Sequence, residues 1–214
     1  MAAIVPPPFA AIILAAGASS RMGKPKLLLP WNGTTVIGHL ISQWQKLGAT
    51  QIGIVHRPND DALVKELTQI AKVFRFNDST IQRIPNPHSE HGMFSSIQCA
   101  AHWQGWKDEI ESFAIVLGDQ PHLKMETLRE LLDFHAANPH SICQPAFRGE
   151  PKHPVILPRD IFCGLKNFVA AGATLKDFLK LHSRRSVQLK TNDGGLLLDL
   201  DTPEDYKRAL SLDA

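Results

Sequence analysis

Short apolar runs alternate with amphipathic segments through the first two thirds of the chain, and this alternation is the strongest constraint on the fold. The clearest runs are Ala10–Ala16, Gln51–His56 and Phe113–Leu117, each short and continuous, as expected of parallel strands covered on both faces. In residues 34–48, apolar side chains recur at helical spacing, and Gly48 stands where a C-terminal cap belongs. This order of segments predicts right-handed crossovers and a Rossmann-like, three-layer α/β/α fold with a mostly parallel sheet. The later strands follow one another more closely, so we expect the sheet to have a mixed edge.

Composition limits the domain count and the class of partner. The 214 residues suit one domain, and we expect a flexible, proline-rich lead-in over residues 1–9 and a single domain over residues 10–214. The formal net charge of +2 gives no indication of a nucleic-acid partner. No run reaches the roughly 18 apolar residues of a membrane span, and the N-terminal apolar run lacks the preceding positive charge of a secretory signal.

Cysteine usage indicates a compartment, and the spacing of cysteine and histidine gives no zinc motif. Three cysteines without C-x-x-C spacing predict free thiols in a reducing environment, so we expect a cytoplasmic protein with no membrane partner. The ten histidines are scattered, and no His/Cys cluster has zinc spacing.

The segment Ile12–Leu29 (IILAAGASSRMGKPKLLL) passes from apolar residues to small residues and then to clustered positive charge. Small residues at the carboxyl end of a parallel strand let backbone amides approach a phosphate, and Arg21, Lys24 and Lys26 add positive charge. The segment is not a Walker A loop, since five residues separate its two glycines where that motif has four, and it lacks the G-x-G-x-x-G fingerprint. Because a proline follows Lys24, a helix is also disfavoured there. The sequence predicts a longer loop that wraps around an anion.

Two acidic segments carry candidate metal ligands. Asp119 lies in the turn VLGDQP after an apolar run, where a carboxylate either binds Mg²⁺ or caps the turn, and the residues alone favour the cap. Near the C-terminus, a capping box explains Thr202–Asp205 but leaves Asp199 and Asp201 unexplained. The segment GLLLDLD predicts a short strand, which would place both of these aspartates on one face.

Two polar loops are candidates for ligand recognition. In NPHSEHGMFSS, a loop leads through Gly92 into a helix near Ser95 and Ser96, whose hydroxyls either contact a base edge or simply cap the helix. In FRGEPKHPV, Lys152 and His153 lie between two predicted strands and are candidates to contact a phosphate, although lone histidines are usually structural.

The segment LAAGASSRMGKPKLLL closely resembles the signature of nucleotidyltransferases that act on sugar phosphates and on molybdopterin, roughly L-A-[AG]-G-x-S-x-R-[MF]-G-x-x-K. Within it, RMGKPKLLLP is most similar to the molybdenum cofactor cytidylyltransferase branch of the MobA-like nucleotidyltransferases. The resemblance covers the chain from Ala10 onward and implies a fold of the nucleotide-diphospho-sugar transferase type. It also implies that the loop wraps a triphosphate and that Arg21 and Lys26 stabilise the transition state, whereas Lys24 falls on a variable position.

The same resemblance implies roles for the other segments. GDQP matches the family's metal-binding G-D-x-P turn, and Asp201 matches the residue before its Thr-Pro pair, so Asp119 and Asp201 would hold one Mg²⁺, with Asp199 a weaker candidate. The GEPKHPV segment implies acceptor contacts from Lys152 and His153. The implied nucleotide-binding residues are Leu14, Ala15, Ala16, Gly17, Ser19, Asn86, Gly92, Ser95 and Ser96.

The activity implied by the resemblance is transfer of a nucleoside monophosphate to a phosphorylated acceptor, with Mg²⁺ as cofactor and release of pyrophosphate. Among the members of the resembled family that act on molybdopterin, LAAG goes with cytidylyl transfer and LAGG with guanylyl transfer. Ala16 leaves less room for a bulky base, so we expect CTP as the nucleotide and molybdopterin as the acceptor. The alternatives are a guanylyltransferase for the same cofactor, a cytidylyltransferase for a sugar or polyol phosphate, and a non-catalytic nucleotide-binding protein. The last would partner a molybdoenzyme or its chaperone.

Overall fold

A computed structural model describes residues 7–74, 80–169 and 172–212 of the chain. Residues 1–6 of the expected lead-in therefore lie outside the described residues. The first strand begins at Phe9, whose side chain is buried in the core. No helix in the described part of the chain is both long and apolar enough to cross a membrane.

Strands and helices alternate as the sequence predicts. The strands are β1 (Phe9–Leu14), β2 (Pro30–Trp31), β3 (Thr34–Thr35), β4 (Gln51–His56), β5 (Ile81–Pro85), β6 (Ser112–Leu117), β7 (Ile142–Phe147), β8 (Glu150–Pro151), β9 (Val155–Pro158) and β10 (Ser186–Lys190). The α-helices are α1 (Val36–Lys46), α2 (Asp61–Val73), α3 (Met93–His102), α4 (Met125–Ala137), α5 (Arg159–Gly164), α6 (Leu175–Leu181) and α7 (Pro203–Leu212).

One sheet forms the middle layer, with strand order β10-β7-β9-β6-β1-β4-β5 and β8 paired with β7. β6, β1, β4 and β5 are mutually parallel, and β10 is parallel to β7. β9 lies between β6 and β7 and runs antiparallel to both of them. The sheet is therefore mostly parallel and mixed, as expected.

Each face of the sheet carries its own hydrophobic core. On one face, α1, α2, α4 and α7 pack against alternate residues of β1, namely Phe9, Ala11 and Ile13. On the other face, α3, α5 and α6 pack against Ala10 and Ile12. Burial of successive side chains on opposite faces explains why the first apolar run is continuous rather than alternating.

Local sequence signals set the ends of α1 and α7. The Thr35 hydroxyl accepts a hydrogen bond from the amide of Gly38 at 3.2 Å, and Gly48 takes φ of 92° just after α1, as its position predicts. Thr202 and Asp205 form the expected reciprocal box before α7, with hydrogen bonds of 3.1 and 3.2 Å. This cap fixes the chain direction directly after Asp201.

The predicted strand GLLLDLD is wrong. Residues Gly194–Leu197 form a 3₁₀ turn, and residues 198–201 pair with no strand among the described residues. The Asp193 carboxylate accepts from the amide of Gly195 at 2.9 Å and so starts the turn. The alternate leucines are still buried against the core, which explains why the segment has the periodicity of a strand.

Candidate active site

The loop that follows β1 lies at the carboxyl edge of the sheet. The Ala15 amide donates to the carbonyl of Val55 at 2.8 Å, which ties the loop's first residue to the end of β4. Ser19 and Gly23 take positive φ angles of 51° and 66°, and the Ser19 hydroxyl accepts from the Lys26 amide at 3.3 Å. The loop closes on itself and ends in a short 3₁₀ turn, Lys26–Leu28, instead of a long helix. The expectation of an extended loop after β1 is met.

Four charged residues from three distant segments meet beside this loop. The Lys26 ammonium lies 2.6 Å from Asp119 Oδ2 and 3.7 Å from Asp201 Oδ1. An Arg21 guanidinium nitrogen lies 2.9 Å from Asp201 Oδ2. The Lys26, Asp119 and Asp201 side chains are only 15%, 21% and 28% exposed, whereas Arg21 is 70% exposed. The two residues predicted as catalytic and the two predicted as metal ligands therefore form one cluster, called the charged cluster below.

Tight backbone packing positions the two aspartates. Asp119 follows β6, and a β-carbon on the preceding Gly118 would lie 2.6 Å from the Leu14 carbonyl oxygen. Only glycine permits this approach of β6 to the end of β1. The amide of Leu200 donates to the carbonyl of Asp119 at 3.0 Å, so the segment that carries Asp201 is fastened to the turn that carries Asp119.

Asp199 adds a third carboxylate to the same place. Its Oδ1 accepts from Gln120 Nε2 at 2.8 Å. Burial, followed by the negative charge of Asp119, raises the pKa of the Asp199 carboxyl above its usual value. The amide of Asp201 donates to the Asp199 carbonyl at 2.9 Å, so a tight turn, and not a shared strand face, brings these aspartates together.

A cleft of about 550 Å³ opens between the loop, β6 and the start of α3. Seven of the residues predicted to bind nucleotide line it, together with Lys26 and Asp119: Leu14, Ala15, Ala16, Gly17, Ser19, Gly92 and Ser96. A smaller cavity of about 290 Å³ lies beside the same loop and is lined in part by Ser20, Lys24, Lys26 and Asp60. Lys24 lines this smaller cavity but not the larger cleft.

Asn86 organises the opposite wall of the cleft. Its side chain is buried, donates to the hydroxyls of Ser95 and Ser96 at 2.9 and 3.0 Å, and accepts from the amide of His88 at 2.9 Å. The Ser95 hydroxyl in turn donates to a backbone carbonyl, that of His88 or that of Gly92, each 2.8 Å away. The polar groups of Asn86 and Ser95 are therefore occupied within the protein, and of this set Gly92 and Ser96 line the cleft.

Lys152 and His153 lie outside the residues that line this cleft, and the amide of Lys152 donates to the Pro145 carbonyl of β7 at 2.8 Å. Lys152 Nζ is 2.9 Å from the exposed Glu150 carboxylate. His153 Nδ1 is 3.3 Å from the carbonyl of Ile115, two residues before the end of β6. Burial lowers the pKa of the His153 imidazole, while the negative charge of Asp119 acts in the opposite direction.

Arg57 is a cleft residue that the sequence analysis did not single out. It follows β4 directly and lines both cavities beside the loop. Its guanidinium reaches Asp60 at 3.4 Å, and its side chain is 45% exposed. The sequence does contain an indication of this residue, because a basic residue that directly follows a parallel strand lies at the edge of the sheet where ligands bind.

The fold and the cleft define a class: a three-layer α/β protein that presents a loop of small residues and a pair of carboxylates at the carboxyl edge of its sheet. Residues 11–187 match the MobA-like NTP transferase domain, and the chain belongs to this family.

Several known proteins are similar to it over most of the chain. The molybdenum cofactor cytidylyltransferase of Escherichia coli is 26% identical over 91% of this chain and 92% of its own length. A probable molybdenum cofactor guanylyltransferase of Bacillus cereus is 26% identical over 69% of this chain and 66% of its own. The crystal structure of Rv0371c from Mycobacterium tuberculosis in complex with manganese superposes with a TM-score of 0.69 and 26% identity, covering 97% of this chain and all of that one.

Proposed function

We propose that this protein transfers CMP from CTP to a phosphorylated acceptor, molybdopterin, and releases pyrophosphate. The observation that carries the proposal is the charged cluster at the carboxyl edge of the sheet. Arg21 and Lys26 lie there against Asp119 and Asp201, beside a cleft whose wall is the anion loop. This arrangement provides cations for a triphosphate and carboxylates for a divalent metal in one place.

The carboxylates suit the Mg²⁺ that the family resemblance implies. The Lys26 ammonium lies 2.6 Å from Asp119 Oδ2 and 3.7 Å from Asp201 Oδ1, so both carboxylates are already within ion-pair distance of one cation, which supports a shared metal site. With Asp199 included, the cluster has one more negative than positive charge and favours a further cation. Bound between Asp119 and Asp201, Mg²⁺ would neutralise charge on the triphosphate. The manganese complex of the Mycobacterium tuberculosis relative supports a divalent metal in this family.

The chain's own residues supply the rest of the catalysis. Backbone amides of the loop from Ala16 to Ser19 orient the triphosphate, and Arg21 and Lys26 stabilise the charge that develops as the reaction proceeds. An oxygen of the acceptor phosphate attacks the α-phosphorus in line. The bond from that phosphorus to the β-phosphate oxygen breaks, and pyrophosphate leaves. No covalent bond to the protein is required.

The preference for CTP depends on the loop residue Ala16, which lines the cleft. A methyl group at this position narrows the space beside Gly17, where the smaller pyrimidine base would fit better than guanine. The Escherichia coli relative is named as a cytidylyltransferase, in agreement with this preference. The Bacillus cereus relative is named as a probable guanylyltransferase at the same 26% identity, so GTP is the second candidate.

The acceptor would approach from the side of β9, where Lys152 and His153 lie. His153 is hydrogen bonded beside the end of β6, and Lys152 is paired with a highly exposed glutamate that an anionic ligand can replace. We propose that these two residues contact the acceptor phosphate. A molybdoenzyme or its chaperone would receive the product.

Pyrophosphate release tests the proposed reaction. The assay contains molybdopterin, Mg²⁺ and one of the four common nucleoside triphosphates, and we expect the highest kcat/KM with CTP. Asp119→Ala should abolish release, while the control Asp108→Asn, at a fully exposed side chain, should retain it. Tight CTP binding without pyrophosphate release would favour the alternative of a non-catalytic binding protein, and full turnover by Asp119→Ala would contradict the metal assignment.

A further inference from the structure

The turn between β5 and α3 carries three side chains that are common metal ligands: His88, Glu90 and His91. We propose that these residues bind a divalent transition-metal ion of the Zn²⁺ type, with three protein ligands and one open coordination position. This site is separate from the carboxylates of the charged cluster, and its existence does not depend on the nucleotidyl transfer proposed above.

The distances between the ligand atoms fit a tetrahedral ion. Glu90 Oε1 lies 3.8 Å from His88 Nδ1 and 3.5 Å from His91 Nε2, and the ligand atoms all lie within 4.8 Å of one another. In a tetrahedral site with metal–ligand bonds of about 2.0–2.1 Å, neighbouring ligand atoms are about 3.4 Å apart. Rotation of the three exposed side chains would bring their ligand atoms to this spacing.

The backbone under these side chains is held in place. The His88 amide donates to Asn86 Oδ1 at 2.9 Å, and the Ser95 hydroxyl lies 2.8 Å from the His88 carbonyl oxygen. The next three residues form a 3₁₀ turn, which ends at Gly92 with φ of 88°. The two imidazole rings are stacked, with centroids 5.6 Å apart and planes inclined by 7°. The ligands are thus presented by a fixed turn, which lowers the entropy cost of binding an ion.

Ligand chemistry separates this site from the one proposed for Mg²⁺. Imidazole nitrogens suit Zn²⁺, Cu²⁺ and Ni²⁺, whereas an all-carboxylate site such as Asp119 with Asp201 suits Mg²⁺ and Mn²⁺. Because Glu90 also lines the cleft, an ion bound here would lie at its rim. The simpler explanation of the cluster is a pair of histidines attracted to one exposed glutamate, and this explanation predicts no stoichiometric metal binding.

Calorimetric titration of the metal-free full chain with Zn²⁺, in excess Mg²⁺ and without nucleotide, tests the proposal. The Cys163→Ser background removes an exposed thiol that would compete for the ion. We expect one Zn²⁺ per chain. Loss of one ligand should weaken binding by more than the roughly 10–100-fold effect typical of residues that only support a metal ligand. His88→Ala, Glu90→Gln and His91→Ala should all show this loss.

The matched control is His102→Ala, which removes an exposed histidine from the far end of α3. It should bind Zn²⁺ as the parent chain does. Co²⁺ substitution gives a second readout, since a four-coordinate site without thiolate has intense visible absorption and no sulfur charge-transfer band. Absence of stoichiometric binding, or unchanged affinity in the His88, Glu90 and His91 variants, would overturn the proposal. Circular dichroism confirms that each variant is folded.

Discussion

Lys26 is the residue on which the charged cluster depends. Its ammonium contacts both Asp119 and Asp201, and its side chain is largely buried. The Ser19 hydroxyl holds its amide in the loop. When a triphosphate enters the cleft, the same ammonium has a stronger partner in the phosphate oxygens, and we expect it to move from the carboxylates to the nucleotide.

Replacement of Lys26 by Met should therefore lower kcat for pyrophosphate release by roughly 10²–10³-fold, the usual cost of losing one group that stabilises transition-state charge. Lys24, two residues earlier and not among the residues that line the larger cleft, supplies the matched control, and Lys24→Met should change kcat by less than about tenfold. Equal losses in the two variants would show that the loop's total charge matters and not the position of Lys26.

Ala16 tests the preference for a base. Ala16→Gly removes one methyl group from the cleft wall and should lower the CTP:GTP ratio of kcat/KM, by roughly 10-fold or more for a difference of one small group. The measurement is kcat/KM for both triphosphates in wild type and variant. An unchanged ratio would contradict a role for Ala16 in selecting the base. The wall of the cleft that carries Gly92 and Ser96 would then be the next candidate.

At the scale of the elements, the sequence predicts best where periodicity and pairing agree. Residues 51–56 form a strand with the predicted bounds, because the run is buried on both faces and lies between two parallel neighbours. GLLLDLD has equally strong apolar periodicity, yet it pairs with no strand in the described part of the chain. Whether a strand partner is available is a property of the tertiary structure, and periodicity does not contain it.

The same limit applies to Asn86. The family resemblance implies that it binds the nucleotide, but the structure shows the amide buried and bound to Ser95, Ser96 and the His88 backbone. Sequence alone does not reveal whether a polar side chain faces a ligand or completes a turn. In this structure the amide shapes the wall of the cleft, and Gly92 and Ser96 of the same wall line the cavity.

Helix α4 contains a titratable group that links stability to pH. His135 is 2% exposed, and burial lowers its pKa from 6.5 to about 4 against the opposing effect of a hydrogen bond to the Ser141 backbone. Because the pKa of His135 is lower in the folded state than in the unfolded state, protonation favours unfolding. The free energy of unfolding is therefore unaffected by His135 above about pH 6.5. It decreases as the pH falls towards 4, by up to roughly 3 kcal/mol.

His135→Gln should make the free energy of unfolding depend less steeply on pH between about 4 and 6.5. The measurement is urea unfolding of wild type and variant at several pH values between about 4 and 7.5, where the difference in slope isolates His135. His140→Gln, at an exposed position near the end of the same helix, should keep the wild-type dependence. A wild-type slope in His135→Gln would mean that other groups cause the loss of stability in acid.

At the scale of the whole molecule, parallel pairing of β1 with β6 creates the site. The two strands end side by side, so the loop after β1 and the turn after β6 meet although Lys26 and Asp119 are 93 residues apart. The backbone hydrogen bond from Leu200 to Asp119 brings the C-terminal segment, with Asp201, to the same place. Sequence motifs identified these segments, and the family they resemble is the family to which the chain belongs. Which of these segments lie next to each other depends on the strand order of the sheet, which the sequence does not give. Arg57 was missed for the same reason.

Transfer of isotopic label is the measurement that tests the proposed reaction most directly. CTP labelled at the α-phosphate and CTP labelled at the γ-phosphate are incubated separately with the protein, Mg²⁺ and molybdopterin. We expect the α-label in the acceptor product and the γ-label in pyrophosphate, in equal amounts, with neither product formed without acceptor. Appearance of the γ-label as inorganic phosphate, or of the α-label as free CMP with no labelled acceptor, would contradict nucleotidyl transfer by this site.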